Sequence, residues 1–303
     1  MNADGFIELD WLAKWNLYSP AKIAVQDGDT GRQISYGQFY EKAARGAGFL
    51  KAKYNINPGD RVAVLSTNEL EYVFLFFALQ RLGAILVPIN YRLTQREVDH
   101  IVSDCEPKLI VHQPEYKSII QNLQYKTPSI LLSEIPFDAF DPHWNFQAKP
   151  DSAVMIIYTS GTTGAPKGAV LSHEMLFWNS VNTTLRLNIS QDDCTVIFLP
   201  FFHTGGWNVL TTPFLHRGAK VVFLKKFDGD QILTLSEKEK ATLLFGVPTT
   251  MDMMARSKLF EKVDLSSLRY AIVGGEPMAL ELIHTWHEKG IPIRQGYGLT
   301  EFG

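Results

Sequence analysis

Residues 153–173 read AVMIIYTSGTTGAPKGAVLSH, and their chemistry sets the terms for the rest of the chain. An apolar run from Ala153 to Tyr158 has strand character and delivers a polar, glycine-rich segment. Gly161, Gly164 and Gly168 allow backbone conformations closed to other residues. Thr159, Ser160, Thr162 and Thr163 offer hydroxyls, and Lys167 adds a point charge suited to phosphate. Together they predict an anion-binding nest for a polyphosphate. The pattern is not GxxxxGK[ST], because Lys167 stands three residues after Gly164 with Pro166 before it. A kinase-type GxGxxG is also absent. A plain polar loop between strand and helix is the bland alternative, and the unbroken run of small, hydroxyl and cationic residues weighs against it.

Outward from this loop, short apolar runs alternate with longer amphipathic ones. Upstream, strands are expected at 61–66, 84–88, 108–112 and 130–133, with helices at 69–82 and 95–104. Thr94 and Glu97 form a capping-box pair for the second helix. Downstream, Ser172 is a candidate N-cap for a helix over 174–187. Strands follow at 195–199, 220–224, 242–246, 270–273 and 293–295. Helices are expected at 208–216, 230–238, 249–254 and 280–288. Such alternation predicts an α/β fold of mostly parallel strands flanked by helices. There are more βα units than one open sheet normally carries, so two sheet-centred lobes are expected. The expected division lies near 188–195, with one lobe at about 55–190 and the other from 1–54 plus 191–303.

Composition narrows the class. The 303 residues are 46% hydrophobic and 20% charged, as in ordinary globular proteins. A net charge of -3 argues against nucleic-acid binding. The two cysteines, Cys105 and Cys194, form no ligand-spaced cluster, which speaks against structural zinc and fits a reducing cytoplasm. MNADGFIELDWL has neither a basic region nor an apolar core, so it does not read as a secretory signal. The most apolar stretch, residues 73–89, is interrupted by Gln80, Arg81 and Gly83 and does not read as a membrane span. A cytoplasmic location is expected, with peripheral membrane contact and a homodimer both left open.

Two later segments sit where open α/β sheets bind ligands, beyond the carboxyl ends of strands. Gly274, Gly275, Glu276 and Pro277 follow the 270–273 strand; the glycines let a flat ligand approach, and Pro277 suits a first helical turn. Residues 295–301 read QGYGLTE: Tyr297 can stack on a base, Thr300 can donate to phosphate, and Glu301 can ligate magnesium. Each alone is equally an ordinary turn.

The run YTSGTTGAPKG at 158–168 matches throughout the signature loop of the adenylate-forming superfamily, which includes acyl-CoA synthetases, luciferases and peptide-synthetase adenylation domains. The Gly274–Pro277 turn resembles that family's adenine-binding turn, and Tyr297, Gly298, Thr300 and Glu301 resemble its YGxTE motif. The resemblance implies ATP, Mg²⁺ and coenzyme A as cofactor and co-substrates. It implies that Thr159, Ser160, Gly161, Thr162, Thr163 and Gly164 wrap the β- and γ-phosphates, with Lys167 beside them. It assigns the metal to Thr159 and Glu301, the adenine to Gly275, Glu276, Pro277 and Tyr297, and the α-phosphate to Thr300.

On the substrate side, LPFFHTGGWN at 199–208 resembles the P-x-F-H-x-x-G stretch of acyl-CoA synthetases, which places His203 beside the acyl carboxylate. Amino-acid-activating relatives carry an aspartate there, and none occurs between Leu199 and Leu215. A buried ammonium would lack a partner, so a plain carboxylic acid is expected. Phe202, Trp207, Val247 and Gly296 are candidates for the acyl pocket, or simply for the core. His284 and His287 lie one helical turn apart with no third ligand evident. The implied reaction is carboxylate attack on ATP to give an acyl-adenylate, then thioester formation. The family continues beyond YGxTE, so the chain is expected to be its N-terminal part, without the C-terminal domain and its catalytic lysine. Loading of a carrier protein, and a non-catalytic nucleotide- or acyl-binding module, stay open.

Overall fold

The computed structural model describes residues 8–140, 146–159 and 165–303. In chain order the elements are α1 (Trp11–Tyr18), β1 (Ile23–Asp27), β2 (Gln33–Ser35), α2 (Tyr36–Tyr54), β3 (Arg61–Leu65), α3 (Leu70–Leu82) and β4 (Ile85–Pro88). Then come α4 (Gln95–Cys105), β5 (Leu109–His112), α5 (Lys117–Gln121), β6 (Ser129–Leu131), β7 (Ala153–Thr159), β8 (Lys167–Ser172) and α6 (His173–Leu187). The remainder are β9 (Cys194–Ile197), α7 (Thr204–Trp207), α8 (Thr211–His216), β10 (Lys220–Phe223), α9 (Gly229–Lys238), β11 (Leu243–Gly246), α10 (Pro248–Ala255), β12 (Tyr270–Val273), α11 (Leu280–Glu288) and β13 (Ile293–Gln295).

Two mostly parallel sheets result. One has the order β6-β5-β3-β4-β7-β8, the other β13-β12-β11-β9-β10-β1-β2. Among the described residues only the β7–β8 and β1–β2 pairs are antiparallel. Strand alternation divides the core into layers. Val62 and Val64 of β3 face a core shared with Ile197, Val221 and Phe245 of the second sheet. Ala63 and Leu65 face the opposite way, onto Val98, Ile101 and Val102 of α4. Val196, Val222 and Leu244 face Ile232, Met254 and Trp286 on the second sheet's outer side. Helix, sheet, helix, sheet and helix therefore stack in that order.

The shared middle layer explains α3. LEYVFLFFALQRL is buried almost all round, as a helix enclosed between two sheets must be. It ends at Gly83, whose φ of 68° suits a residue without Cβ. Among the described residues no helix is long and apolar enough to cross a membrane. The expected caps form: Ser172 accepts from Met175 N, and Thr94 and Glu97 bond reciprocally.

Three local expectations are corrected. Residues 167–172 form strand β8, in a hairpin with β7, and not loop; cross-strand pairing fixes it, with Thr159 opposite Lys167. The helix expected at 208–216 begins only at Thr211 as α8, and a separate turn of helix, α7, precedes it over Thr204–Trp207. Pro213 has no N–H to give the carbonyl four residues back, and the Thr211 and Thr212 hydroxyls take the carbonyls of Gly206 and Trp207. Pro277 does not open a helix: α11 starts at Leu280, and Pro277 lies in the exposed turn before it.

Candidate active site

In each sheet the parallel strands end on one edge, and the predicted site residues gather along it. On the second sheet, β11, β12 and β13 are neighbours and release Gly246-Val247, Gly274-Gly275 and Gly296 side by side. Gly274 N donates to Gly246 O (3.2 Å) and Gly296 N to Val273 O (2.8 Å), so the three turns advance in step. Gly275 takes φ 84°, which only glycine adopts without strain. A Cβ on Gly274 would approach Gly296 O at 3.5 Å and the Phe245 ring at 3.3 Å. Gln295 was not singled out in the sequence, yet its Oε1 accepts from Met278 N (2.9 Å) and ties the two turns together. Gly275, Glu276, Pro277, Gly296, Tyr297 and Gly298 all line an exposed strip, with Tyr297 91% accessible.

The loop of 160–164, with Ser160, Gly161, Thr162, Thr163 and Gly164, lies outside the described residues. Its two feet are described. Thr159 ends β7 and pairs with Lys167, the first residue of β8. Helix α4 grips both feet from one face: Tyr158 Oη donates to Asp104 Oδ2 (2.5 Å), and His100 Nε2 donates to Pro166 O (3.3 Å). Burial, then the bond to Asp104, pushes the Tyr158 hydroxyl far above its ordinary range. Gly168 is required here, because a Cβ would stand 2.6 Å from Ile156 Cγ2. Lys167 is exposed, and among the described residues it has no ion-pair partner. The short turn Thr300–Phe302 packs against β8, and Gly303 after it lies against Met175 at the start of α6. Glu301 is exposed and likewise unpaired among the described residues.

The turn after β9 carries His203, which caps α7 from an extended conformation. Its N–H donates to Pro200 O (3.1 Å), and its own carbonyl accepts from Gly206 N (3.0 Å). Gly206 is packed so closely that a Cβ would meet Pro200 O at 2.4 Å. The His203 ring tilts against Phe202 at 4.5 Å, which covers part of it. Loss of solvent, and next the Arg92 charge, hold His203 below its ordinary pKa, so it is neutral near pH 7. Phe202 is buried edge-on against Tyr91 from the loop after β4. Trp207 has no accessible surface: it stacks on Phe201 at 4.2 Å and donates its indole N–H to Phe201 O at 2.7 Å. Its place here is in the core beneath the turn. Val247 is half-buried beside Gly275, within reach of a ligand in the strip.

His284 is exposed, and His287 Nε2 accepts from Ile293 N (3.2 Å). No cluster of three metal-binding side chains occurs among the described residues. His173, the first residue of α6, is 1% exposed with neither ring nitrogen bonded. Burial lowers its pKa to about 4.

Two mostly parallel sheets, a hairpin gripped at both feet and three adjacent glycine turns define a layered α/β protein. The chain belongs to the AMP-binding enzyme family, which it matches over residues 12–303. It is 34% identical over 295 residues to a feruloyl-CoA synthase of Amycolatopsis, covering 96% of this chain and 59% of that protein. It is 35% identical over 308 residues to an indoleacetate–CoA ligase of Aromatoleum aromaticum, with 96% and 59% covered. The N-terminal domain of FACL13 from Mycobacterium tuberculosis superposes with a TM-score of 0.88 at 28% identity, covering 96% of this chain and 75% of that one. ATP-bound MatB from Rhodopseudomonas palustris gives 0.88 at 30%, with 97% and 60% covered. The chain thus spans about 59% of the length of these curated relatives.

Proposed function

We propose that this chain is the nucleotide- and acid-binding part of an AMP-forming acid–CoA ligase. The observation that carries this is the gathering of the His203 turn, the Gly274–Pro277 turn, the 296–298 strip and both feet of the Lys167 hairpin on the strands' carboxyl edges. Such edges are where open α/β sheets hold ligands. The names of the related CoA ligases support the same assignment.

In this proposal the adenine lies on the exposed glycine strip, against Gly275, Glu276, Pro277 and Tyr297. The phosphates run toward Thr159 and Lys167. Thr300 donates to the α-phosphate, and an acid carboxylate sits near His203. Two anions must meet, so the chain's task is positioning and charge neutralisation. Lys167 suits this because no described carboxylate competes for it. His203 is held neutral, so it donates one hydrogen bond without trapping the carboxylate as an ion pair. Mg²⁺ would fit the oxygen donors Thr159 and Glu301, and when bound it would neutralise phosphate charge. The absence of an aspartate between Leu199 and Leu215 supports a plain, apolar carboxylic acid as substrate.

Calorimetry with Mg·ATP and a non-hydrolysable acyl-adenylate analogue tests the proposal. The analogue should bind more tightly than Mg·ATP, since it occupies both subsites. Absence of binding by either compound would remove the assignment. ATP–pyrophosphate exchange across aromatic and aliphatic acids would then rank substrates.

A further inference from the structure

Asn68 lies in the loop after β3, in the first sheet, and plays no part in the site assigned above. It is 2% exposed, and its carboxamide makes two bonds to the second sheet. Nδ2 donates to Leu199 O (2.9 Å), and Oδ1 accepts from Phe201 N (3.0 Å). These groups flank Pro200. A parallel β-neighbour uses the same two positions, donating to the residue before its partner and accepting from the residue after. The side chain of Asn68 therefore stands in for a missing strand where β9 has left its sheet. Pro200 has no N–H, so nothing else on its backbone could donate there.

The loop that presents Asn68 is itself fixed. Thr67 N donates to Gln113 Oε1 (2.8 Å), Gln113 Nε2 donates to Thr67 Oγ1 (3.1 Å), and Gln113 N donates to Leu65 O (3.2 Å). On its other side the Pro200 turn is closed by the His203 N–H and by the packing of Gly206. The turn that aims His203 is thus held between one buried amide and one glycine. Only a carboxamide of this length supplies a donor and an acceptor in one plane; aspartate lacks the donor, and glutamine is a methylene too long.

We infer that Asn68 is a positioning residue for the acid-side subsite: it carries the first sheet's loop across to set the Pro200 turn and so fixes where His203 stands. The acid-binding part of this inference rests on the function proposed above; the hold on the turn does not. A misplacement of about 1 Å in a site group can cost on the order of 100-fold.

The test uses Asn68→Ala and Asn68→Asp in the full chain, each checked for folding by circular dichroism and thermal melting. The His203 ring resonances, assigned with His203→Gln, report the turn directly. Calorimetry reports Mg·ATP and the acyl-adenylate analogue separately. In Asn68→Ala the His203 resonances should move, and analogue affinity should fall about 10-fold or more while Mg·ATP binding changes less than about twofold. Asn68→Asp keeps the acceptor for Phe201 N and should lose less analogue affinity; it serves alone if the alanine variant fails to fold. Unmoved His203 resonances in a folded variant overturn the inference outright. Moved resonances with unchanged analogue affinity would leave the hold on the turn standing and overturn the acid-side role of His203. Equal losses for both ligands would mark Asn68 as general scaffolding and overturn the acid-side assignment.

Discussion

Acidification should destabilise this protein through two buried histidines. His173 is buried with no hydrogen-bond partner, and burial lowers its pKa to about 4 from 6.5. His216 is packed face-to-face on Trp11 at 4.4 Å and shares a hydrogen bond between Nδ1 and Ser180 Oγ (2.8 Å). Burial, followed by the charges of Lys14 and Arg217, lowers its pKa also to about 4. Both groups are bases with folded values below their unfolded ones, so between about pH 6.5 and 4 the unfolded chain binds more protons. Stability must then fall as the pH drops through that window. Integrating the linkage from pH 7 to 4.5 gives a loss of about 2–2.5 kcal/mol for each histidine, or roughly 5 kcal/mol together. That is a large share of a typical domain's roughly 5–15 kcal/mol.

The assay is urea unfolding at a series of pH values. His173→Leu removes one titration and two unbonded buried nitrogens, so the variant should match or exceed the parent's stability at pH 7. Its loss on acidification to pH 4.5 should be about half the parent's. An unfolding free energy flat between pH 6.5 and 4.5 would refute the reasoning, as would a His173→Leu slope equal to the parent's. Asp193 does not confuse the window. Its burial is outweighed by bonds from Arg269 and Ser190, which hold its pKa below 3.8. The stability it contributes is present above about pH 4 and is lost only as the pH falls through that lower value.

Lys167→Ala should weaken Mg·ATP binding by about 10- to 100-fold in calorimetry, the worth of a charge-assisted hydrogen bond, with little change in melting temperature because the side chain is exposed. Unchanged affinity would take Lys167 out of the nucleotide site. Gly206→Ala would place a Cβ 2.4 Å from Pro200 O and should cost on the order of 1–3 kcal/mol, read as a lower melting temperature; an unchanged melting temperature would show that the turn is not confined as described. Cys105 and Cys194 are buried with thiol pKa values raised to about 12, so neither should react with a thiol reagent in native protein at pH 8, and both should react in denaturant. Rapid native labelling would contradict that burial.

Much of this was legible in the chain alone. The βα rhythm placed most strands and helices because buried parallel strands need continuous apolar runs, and helices declare themselves through caps such as Thr94/Glu97 and Ser172. The glycine-rich loop and the later glycine turns were readable because only glycine fits such backbone, and Gly275 has the positive φ that this requires. Family membership follows from the same residues.

What the sequence could not decide depended on partners distant along the chain. Strand β8 exists because β7 pairs with it, and its own residues lack a strand's alternation of burial. The break between α7 and α8 arises where threonine hydroxyls and Pro213 compete with the helical ladder. The burial of Trp207 against Phe201 was set by residues the sequence does not place beside it. The grip of α4 on the hairpin feet and the bridge from Asn68 to Leu199 and Phe201 join residues from 54 to 133 positions apart. Local pattern records what each segment can become; which polar groups meet across the two sheets is settled only when the core between them closes and every buried donor must find its acceptor.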